Sequence, residues 1–430
     1  MKRYIAIILS VLLMIQACGC STARNLFPED TTSQEEEQTA ISDNGGLKVG
    51  FLFPSNNDAT DTTSHIEGIR KMQVETGLSD SQVIIKKNVG KDNCETNVDE
   101  LVEKGCNIIF SCDRDYEETI VQSASQYPDV QFCQEDGTQA EESGLDNMHN
   151  YYVRLYEAYY AAGVAAGMKL NDMLNRGKID RESCVIGFVA NEESAESISC
   201  LNAFYLGVGQ VCSQASMLVR YVGSKGVYDD DGECAKQLVE AGVGMMCQHT
   251  YTTAVAAVCA ENDIPVVGNE LNVINAAPKE AITSAAADWS VYYTYAVNAV
   301  MNNEQIDTDW CGGYKEGAVT LTQLNDAELL EGTVERLKEV EKDLRNGKAK
   351  VFDTESFTVD GDSLEDLVKT DKDFKKYKKM VSKGEFHESD AQSAPMMEFL
   401  VDGVEVSTYD YLAEKEAEEQ SELSDETEEE

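Results

Sequence analysis

The sequence CVIGFVA at residues 184–190 begins the stretch that decides the fold, because apolar runs and helix-length segments alternate regularly after it. The apolar runs that follow are MLVRYV (217–222), VGMMCQHT (243–250) and IPVVGN (264–269). The segments between them have the length and pattern of helices: SISCLNAFYLGVGQV (197–211), GECAKQLVEAG (232–242) and AVAAVCAEN (254–262). Alternation of this kind predicts a parallel sheet covered by helices on both faces.

An earlier series shows the same alternation from residue 47 onward, and a long helix-like stretch (151–174) joins it to the second series. Its apolar runs are KVGFLF (48–53), SQVIIKKNV (81–89), NIIFSC (107–112) and VQFCQ (130–134). We therefore predict an α/β protein with two doubly wound parallel-sheet lobes and a ligand cleft between them. In open sheets of this kind ligands bind outside the carboxyl ends of the strands, so residues near the end of an apolar run, such as Ser111, are candidates for the site.

The chain has 430 residues, which is long enough for two lobes that each have a core of their own. We predict a first lobe of residues 47–170 plus about 286–312, and a second lobe of 180–285 plus about 313–412 with the C-terminal elements. The elements predicted after residue 325 are a charged helix (328–348), a strand pair with a DG turn (350–362) and a short hairpin (397–407). The acidic tail, residues 413–430, is predicted to be disordered.

The N-terminus predicts export and a lipid anchor. A short basic region precedes the apolar stretch Tyr4–Ala17, which is too short to span a bilayer comfortably. The stretch ends in IQAC, which resembles the lipobox of bacterial lipoproteins, where the signal (here residues 1–17) is removed and the cysteine receives lipid. Cys18 fits best and Cys20 is the second choice, while a plain secretory signal is the alternative. The polar and acidic residues 18–46 are predicted to form a flexible tether.

Composition argues against nucleic acid as a partner and gives no metal motif. The chain has 79 acidic against 35 basic residues, and its net charge of −44 repels phosphate backbones. Its 13 cysteines include no CxxC pair, so neither a zinc site nor a redox motif is supported. Several cysteines lie inside apolar runs and are predicted to be small core residues rather than bridge partners: Cys106, Cys112, Cys184, Cys247 and Cys259.

The sequence contains no motif of catalysis or cofactor binding. In RYVGSKGVYDDDGE (220–233), Lys225 stands between Ser224 and Gly226, which does not match a phosphate loop. The acidic cluster of the same stretch lacks the first and last ligands of a calcium loop. The four histidines form no pair at i,i+4, and there is no GxSxG elbow. The absence of these motifs argues against an enzyme without excluding one, and we predict no catalytic residues, no cofactor and no metal.

Several stretches between residues 152 and 325 occur in the same order in a known family. They are RLYEAYYAAGVAAG, LNAFYLGVG, RYVGS, AKQLVEAG, MCQHT, ITSAAADWSVYY and WCGGYKEGAVTL. Over roughly residues 50–352 the chain resembles the basic membrane protein family, lipid-anchored substrate-binding proteins of ABC importers with the type I periplasmic-binding-protein fold. The resemblance implies an extracytoplasmic place on the bacterial cell membrane, an ABC permease as partner and hinge closure on a small polar ligand, a purine nucleoside or nucleobase.

The resemblance also implies the ligand-binding residues, position by position. In the first lobe, DATDTTSHIEGIRK (58–71) has the rhythm D-x-x-x-T-x-x-H-x-x-G of one branch, which marks Asp58 and His65. Elsewhere the family positions are held by Asn202, Gln248, His249, Glu270, Asn272 and Trp289. Alternative interpretations remain for three of these residues: a helix N-cap for Asp58, a core histidine for His249 and a packing role for Trp289.

Two positions depart from the family pattern. Asp61 and Lys225 stand where relatives have the aromatic rings that stack on the base. We hypothesise that these opposite charges face each other across the cleft, either pairing on closure or holding a charged ligand. The alternative function is therefore a ligand-sensing or interaction protein of the same fold, whose altered cleft binds a charged non-purine ligand or none.

Overall fold

The structure is a computed structural model and describes residues 46–55, 59–181, 184–223, 226–389 and 393–407. The signal peptide, Cys18, the tether up to residue 45 and the acidic tail lie outside the described residues, as do Asp58 and Lys225. What the sequence predicts for them therefore stays a prediction, including the pairing of Asp61 with Lys225. In the described part of the chain, no helix is both long enough and apolar enough to cross a membrane.

The described residues form strands and helices in regular alternation. The strands are β1 (Val49–Leu52), β2 (Val83–Lys86), β3 (Ile108–Ser111), β4 (Gln131–Glu135), β5 (Met148–Val153), β6 (Val185–Ala190), β7 (Ser216–Tyr221), β8 (Met245–His249), β9 (Val266–Asn269), β10 (Ala281–Ala287), β11 (Asp309–Gly312), β12 (Val319–Leu321), β13 (Val381–Ser382), β14 (Glu385–Phe386) and β15 (Val404–Val406). The α-helices are α1 (Thr60–Thr76), α2 (Cys94–Glu103), α3 (Glu117–Gln126), α4 (Ala140–Ser143), α5 (Leu155–Asn175), α6 (Ala195–Gly209), α7 (Tyr228–Glu240), α8 (Ala254–Glu261), α9 (Ser290–Asn302), α10 (Thr333–Arg345) and α11 (Leu364–Thr370). Short 3₁₀ helices lie at Asp80–Gln82, Lys91–Asn93, Arg114–Tyr116 and Lys375–Tyr377.

Two separate sheets carry the fold. The first has six strands in the order β11-β5-β4-β3-β1-β2, all parallel. The second has seven strands in the order β12-β10-β9-β8-β6-β7-β15, parallel except where β12 joins β10. In both sheets the first strand lies between the second and the third, which is the doubly wound pattern with a topological switch point beside the first strand. The predicted fold class, two doubly wound α/β lobes, is confirmed.

The central strands are apolar on both faces because helices cover both sides of each sheet. All four residues of β1 and of β3 are buried, and so are all five residues of β8. β8 nevertheless ends in two polar side chains, Gln248 and His249, at the carboxyl edge of the second sheet. The polar residues of this otherwise apolar strand are thus at its carboxyl end, which is the edge of a parallel sheet where ligands bind.

Helix α5 follows the first sheet directly in sequence and packs closely against α6. A Cβ atom added at Gly163 or Gly207 would overlap a backbone oxygen of the facing helix. The absence of side chains at these two positions therefore allows the two helix backbones to touch. The bounds of the two lobes stay a prediction, but the packing of α5 on α6, α10 and β10 ties this helix to the second sheet.

The chain passes between the two sheets after β5, after β10 and after β11. These crossover segments lie side by side, since the Arg154 amide donates to the Gly312 carbonyl at 2.8 Å and the Asp288 amide donates to the Ala318 carbonyl at 2.7 Å. Arg154 also forms ion pairs with Glu157 and Glu316 at 2.9 and 3.0 Å, which link two of the segments through side chains. Adjacent crossover segments of this kind can serve as one hinge.

The C-terminal part corrects two sequence predictions. The charged helix is confirmed as α10, but the strand pair predicted at 350–362 is reduced to a single bridge between Val359 and Asp362. The hairpin predicted at 397–407 is wrong, because β15 runs parallel to β7 and extends the second sheet, with Val404 opposite Met217. Without β15, the edge strand β7 would have unpaired backbone N–H and C=O groups, and β15 forms hydrogen bonds with them. In a hairpin with a two-residue turn at Asp402–Gly403, the same residues would have paired with each other.

The cysteines of the described residues are all unpaired. Ten of these eleven are buried, and Cys311 is half-buried. The prediction that the cysteines of the apolar runs are small core residues is thus confirmed, since all five are buried.

Candidate functional site

A cavity of about 70 Å³ lies between the carboxyl edges of the two sheets. The first-lobe loops and elements supply Pro54, Ser55, Asp61, Cys112, Asp113, Arg114, Glu135 and Asp136. The second-lobe elements and the crossovers supply Leu155, Glu192, Glu196, His249, Tyr251, Asn269, Glu270 and Trp289. Most of these residues follow the strands beside the switch points of the two sheets, which is where ligands bind in doubly wound folds.

The two lobes touch each other directly beside this cavity. The Thr60 amide at the start of α1 donates to the Tyr251 carbonyl at 3.0 Å. One turn further along α1, the Ser64 hydroxyl donates to a Glu270 carboxylate oxygen at 2.6 Å. Both contacts join the first lobe to the carboxyl edge of the second sheet, so the structure has the closed arrangement of the cleft.

Glu270 has a backbone conformation that residues other than glycine rarely adopt. Its φ angle is 61°, in the left-handed region, and its carboxylate also accepts from the Ala287 amide at 3.3 Å. Burial raises the pKa of this carboxyl to about 8, although the hydrogen bond from Ser64 acts in the opposite direction. Strained backbone at a buried acid beside a cavity is typical of residues that are kept for function.

His65 lies at the base of the first-lobe wall and is fully buried. Its Nδ1 atom is 2.6 Å from the Tyr293 hydroxyl, and its ring stacks on the Trp289 indole with centroids 4.0 Å apart. The Nε2 atom faces two carboxylates, 3.3 Å from Asp61 and 3.6 Å from Glu135. His65 therefore lies between the aromatic side chains of Trp289 and Tyr293 and the carboxylates of Asp61 and Glu135.

The cavity wall is strongly acidic. Seven of its residues are Asp or Glu, while Arg114 is the one arginine or lysine among the lining residues that the structure describes. Burial, together with the neighbouring Asp136 and Asp61 carboxylates, holds the pKa of Glu135 well above its ordinary value. Burial and the Glu196 carboxylate do the same for the pKa of Asp136. Such a wall can donate hydrogen bonds through protonated carboxyl groups or attract a cation.

The second-lobe wall combines His249 with an aromatic side chain. The His249 Nδ1 atom is 3.2 Å from the Ser197 hydroxyl, and its Nε2 atom is 3.7 Å from Glu196. Tyr251 lies two residues beyond β8 and borders the same cavity. The His249 ring is buried and also borders the cavity, so its ligand-binding role and the core-histidine alternative both stay predictions.

Gln248 and Ser111 are brought close to the cleft without lining it. Gln248 donates to the Thr252 carbonyl at 2.8 Å and shapes the loop that carries Tyr251. Ser111 is fully buried at the end of β3, one residue before Cys112 of the cavity wall. Among the predicted residues, those that line the cavity are Asp61, His249, Glu270 and Trp289.

Asn202 and Asn272 lie elsewhere. Asn202 is buried in α6, where its amide donates to the Phe399 carbonyl at 2.8 Å and its oxygen accepts from the Val401 amide at 3.2 Å. It fastens the chain that leads into β15. Asn272 is exposed, and its side chain accepts from the Ile274 amide within its own loop.

Several cavity residues had not been singled out from the sequence. They are Asp113, Arg114, Glu135, Asp136, Glu192 and Glu196. Each follows or ends β3, β4 or β6, so the strand-end rule would have found them if it had been applied to every strand. In the sequence, the acidic residues among them are not distinguishable from the chain's general excess of negative charge.

Two α/β lobes, three crossover segments and a cleft at the strand ends define a two-lobed substrate-binding protein. The model of the Bmp family, described as ABC transporter substrate-binding protein PnrA-like, matches residues 47–351. The chain therefore belongs to the Bmp family. Members are substrate-binding proteins of ABC transporters, which bind small molecules and work with a permease, and they are not enzymes.

Relatives of known name agree with this assignment. The chain is similar to a purine-binding protein of Brucella abortus, with 26% identity over 326 residues that cover 74% of this chain and 89% of the relative. It is also 24% identical, over 55% of its length and 56% of the relative's, to a candidate ABC transporter glucose-binding protein of Haloferax volcanii.

Solved structures show the same fold at low sequence identity. A solute-binding protein of an ABC transporter system from Aeropyrum pernix matches 75% of this chain and 97% of its own, with a TM-score of 0.59 and 17% identity. A second one, from Conexibacter woesei, matches 71% of this chain and 98% of its own, with a TM-score of 0.56 and 16% identity.

Proposed function

We propose that this protein is the lipid-anchored, extracytoplasmic receptor of an ABC importer and that its cleft closes on a purine nucleoside or nucleobase. The observation that carries the proposal is a pair of aromatic side chains on the cavity wall, Trp289 from a crossover segment and Tyr251 from the second lobe. The similarity to a purine-binding protein supports the same ligand class.

These two rings offer a replacement for the aromatic positions that the chain has lost. Asp61 stands where relatives carry a ring, but the Trp289 indole borders the same cavity. Stacking on one aromatic side chain contributes about 1–3 kcal/mol per base. Tyr251 lies beyond β8, where its backbone already contacts the start of α1 on closure.

The polar groups of the cavity suit the edge of a purine. Glu270 has a pKa of about 8, so near neutral pH its carboxyl is protonated and can donate a hydrogen bond to a ring nitrogen or carbonyl. The Asn269 side chain accepts from the Tyr159 hydroxyl at 2.9 Å, which fixes the orientation of its amide beside the cavity. Proteins usually recognise a flat heterocycle by hydrogen-bond donors and acceptors at fixed positions between apolar or aromatic walls.

Entry of a ligand requires the cleft to open. The cavity of about 70 Å³ is smaller than the several hundred Å³ usual for sites of small organic molecules. Rotation about the crossover segments would separate Thr60 from Tyr251 and Ser64 from Glu270. The ligand would then bind between the lobes and shift the equilibrium toward a closed, loaded state.

Calorimetric titration of the purified chain with adenosine, guanosine, inosine, adenine and hypoxanthine tests the proposal, with glucose as the comparison ligand. We expect one purine to bind with a 1:1 stoichiometry and Trp289→Leu to weaken it by about 10-fold or more, as the loss of one stacking ring implies. Trp310→Phe, which changes a tryptophan away from the cavity, is the matched control. Absence of binding by all five purines would refute the ligand class.

A cationic small molecule is a second candidate, favoured by the seven carboxyl groups of the cavity wall. A ligand with an ammonium or guanidinium group would let buried acids ionise without mutual repulsion. The same titration with arginine, putrescine and choline separates the two candidates. A cation that binds while purines do not would also support the charged-ligand alternative drawn from Asp61.

A further inference from the structure

We propose that the first-lobe floor of the cleft binds a divalent transition-metal cation of the Zn²⁺ type, ligated by His65, Cys112 and Glu135, with Asp61 as the fourth donor. The sequence shows no metal motif for this site, because the donors come from α1, the end of β4 and the residue after β3. The inference rests on the proposed function only in that the cation enters through the same cleft.

The spacing of the donor atoms fits one small ion. The His65 Nε2 atom lies 3.3 Å from an Asp61 oxygen and 3.6 Å from a Glu135 oxygen. Donor atoms at about 2.0–2.2 Å from a tetrahedral ion stand roughly 3.4 Å from one another. Donor atoms of His65, Cys112 and Glu135 all lie within 4.8 Å of one another, so small shifts would bring these three around one ion. Asp61, 3.3 Å from the same His65 nitrogen, would complete the set.

His65 has the surroundings of a metal ligand. Its Nδ1 atom is engaged by the Tyr293 hydroxyl at 2.6 Å, and its Nε2 atom, although fully buried, makes no hydrogen bond. Metal-binding histidines have this arrangement, in which a hydrogen bond at one ring nitrogen directs the other toward the ion. The stack on Trp289 further restricts rotation of the ring.

The charge of the cavity favours a cation at this place. Asp61 and Glu135 face the same imidazole nitrogen, and Asp136 adds a further carboxylate close to Glu135. A dipositive ion between the two ligating carboxylates would offset their repulsion. On binding, the Cys112 thiol loses its proton to solvent and the sulfur forms a bond to the ion, so the donor set becomes one imidazole, two carboxylates and one thiolate.

An imidazole, carboxylate and thiolate set matches a borderline cation such as Zn²⁺ better than Mg²⁺ or Ca²⁺, which prefer oxygen ligands alone. The remaining walls of the cavity, with Trp289, Tyr251 and Glu270, stay available to an organic ligand. The ion would therefore form the floor of the site and the lobes would still close above it.

The test uses the full chain, reduced and freed of metal by a chelator that is then removed. Zn²⁺ is titrated in competition with a chromophoric chelator, and Co²⁺ is added to a parallel sample. We expect 1:1 binding, a visible spectrum of tetrahedral Co²⁺ and a near-ultraviolet thiolate-to-cobalt band that Cys112→Ser abolishes. His65→Gln or Glu135→Gln should weaken Zn²⁺ by about 100-fold or more, and Tyr293→Phe by about 10–100-fold.

His149→Gln and Cys247→Ser are the matched controls, because each removes a buried residue of the same type outside the donor set. Equal Zn²⁺ affinity of the wild type and His65→Gln overturns the inference, and so does a wild-type Co²⁺ complex without a thiolate band. The second result needs no variant and therefore does not depend on the folding of one. Purine binding measured with a chelator present separates the two proposals, since purine binding without Zn²⁺ binding refutes only the metal site.

Discussion

Replacement of Asn202 by alanine should destabilise the protein without changing its ligand affinity. The side chain is fully buried and holds the Phe399 carbonyl at 2.8 Å and the Val401 amide at 3.2 Å. Truncation leaves both backbone groups without their partner, and each buried orphan costs about 1–3 kcal/mol. We therefore expect Asn202→Ala to lower the free energy of unfolding by about 2–6 kcal/mol, summed over the two groups.

Urea unfolding followed by circular dichroism measures this loss, and calorimetry with the ligand identified for the wild type measures affinity. Asn272→Ala is the matched control, since that asparagine is exposed and its loss should change stability by less than about 0.5 kcal/mol. A variant Asn202→Ala that keeps wild-type stability and loses ligand affinity at least 10-fold would refute the reasoning. It would restore the ligand-binding role that the family position implies.

Three further predictions concern the cleft and the core. Glu270 has a pKa of about 8 when folded against an ordinary 4.5, so the folded state holds an extra proton between these values. Its contribution to stability therefore falls as pH rises through that window, by up to about 1.4 kcal/mol per pH unit. Glu135 and Asp136 contribute slopes of the same sign, so Glu270→Gln should reduce the slope of stability against pH in urea unfolding by the share of Glu270, and an unchanged slope would contradict the prediction. In Trp310→Phe the only remaining tryptophan is Trp289, whose fluorescence should change on ligand binding, whereas a constant emission at saturating ligand would argue against its place on the cavity wall. Gly207→Ala should lower thermal stability strongly because its Cβ would meet the backbone of α5, while Gly209→Ala, which has open space, should not; equal melting temperatures would disprove the close contact.

The fold could be predicted because it depends on patterns that are local in sequence. The apolar runs at 48–53 and 184–190 became β1 and β6, and each sheet formed around its first strand in the doubly wound order. Strand ends also pointed to part of the site, since His249 at the end of β8 lines the cavity. These features need only periodicity and the topology of parallel sheets.

The parts that could not be predicted depend on contacts between residues far apart in sequence. Asn202 lies in a helical segment at a position where the family resemblance implies a ligand-binding residue. Its side chain instead bonds the backbone at Val401, about two hundred positions later, and this contact could not be read from the sequence. His65 meets Glu135 across two elements, and no spacing rule relates them. β15 joins β7 because that edge is open, which a hairpin-like local sequence does not reveal.

In the proposed function, ligand binding and lobe closure form one equilibrium, because the same residues line the cavity and join the lobes. Glu270 borders the cavity and accepts the Ser64 hydroxyl, and Tyr251 borders it and accepts the Thr60 amide. Movement of α1 away from these groups opens the cavity and breaks both contacts together. A ligand that prefers the closed cavity therefore stabilises both contacts by the amount of its differential affinity. In the proposed importer, a permease that contacts both lobes would detect occupancy from the position of α1 relative to the second sheet, without touching the ligand.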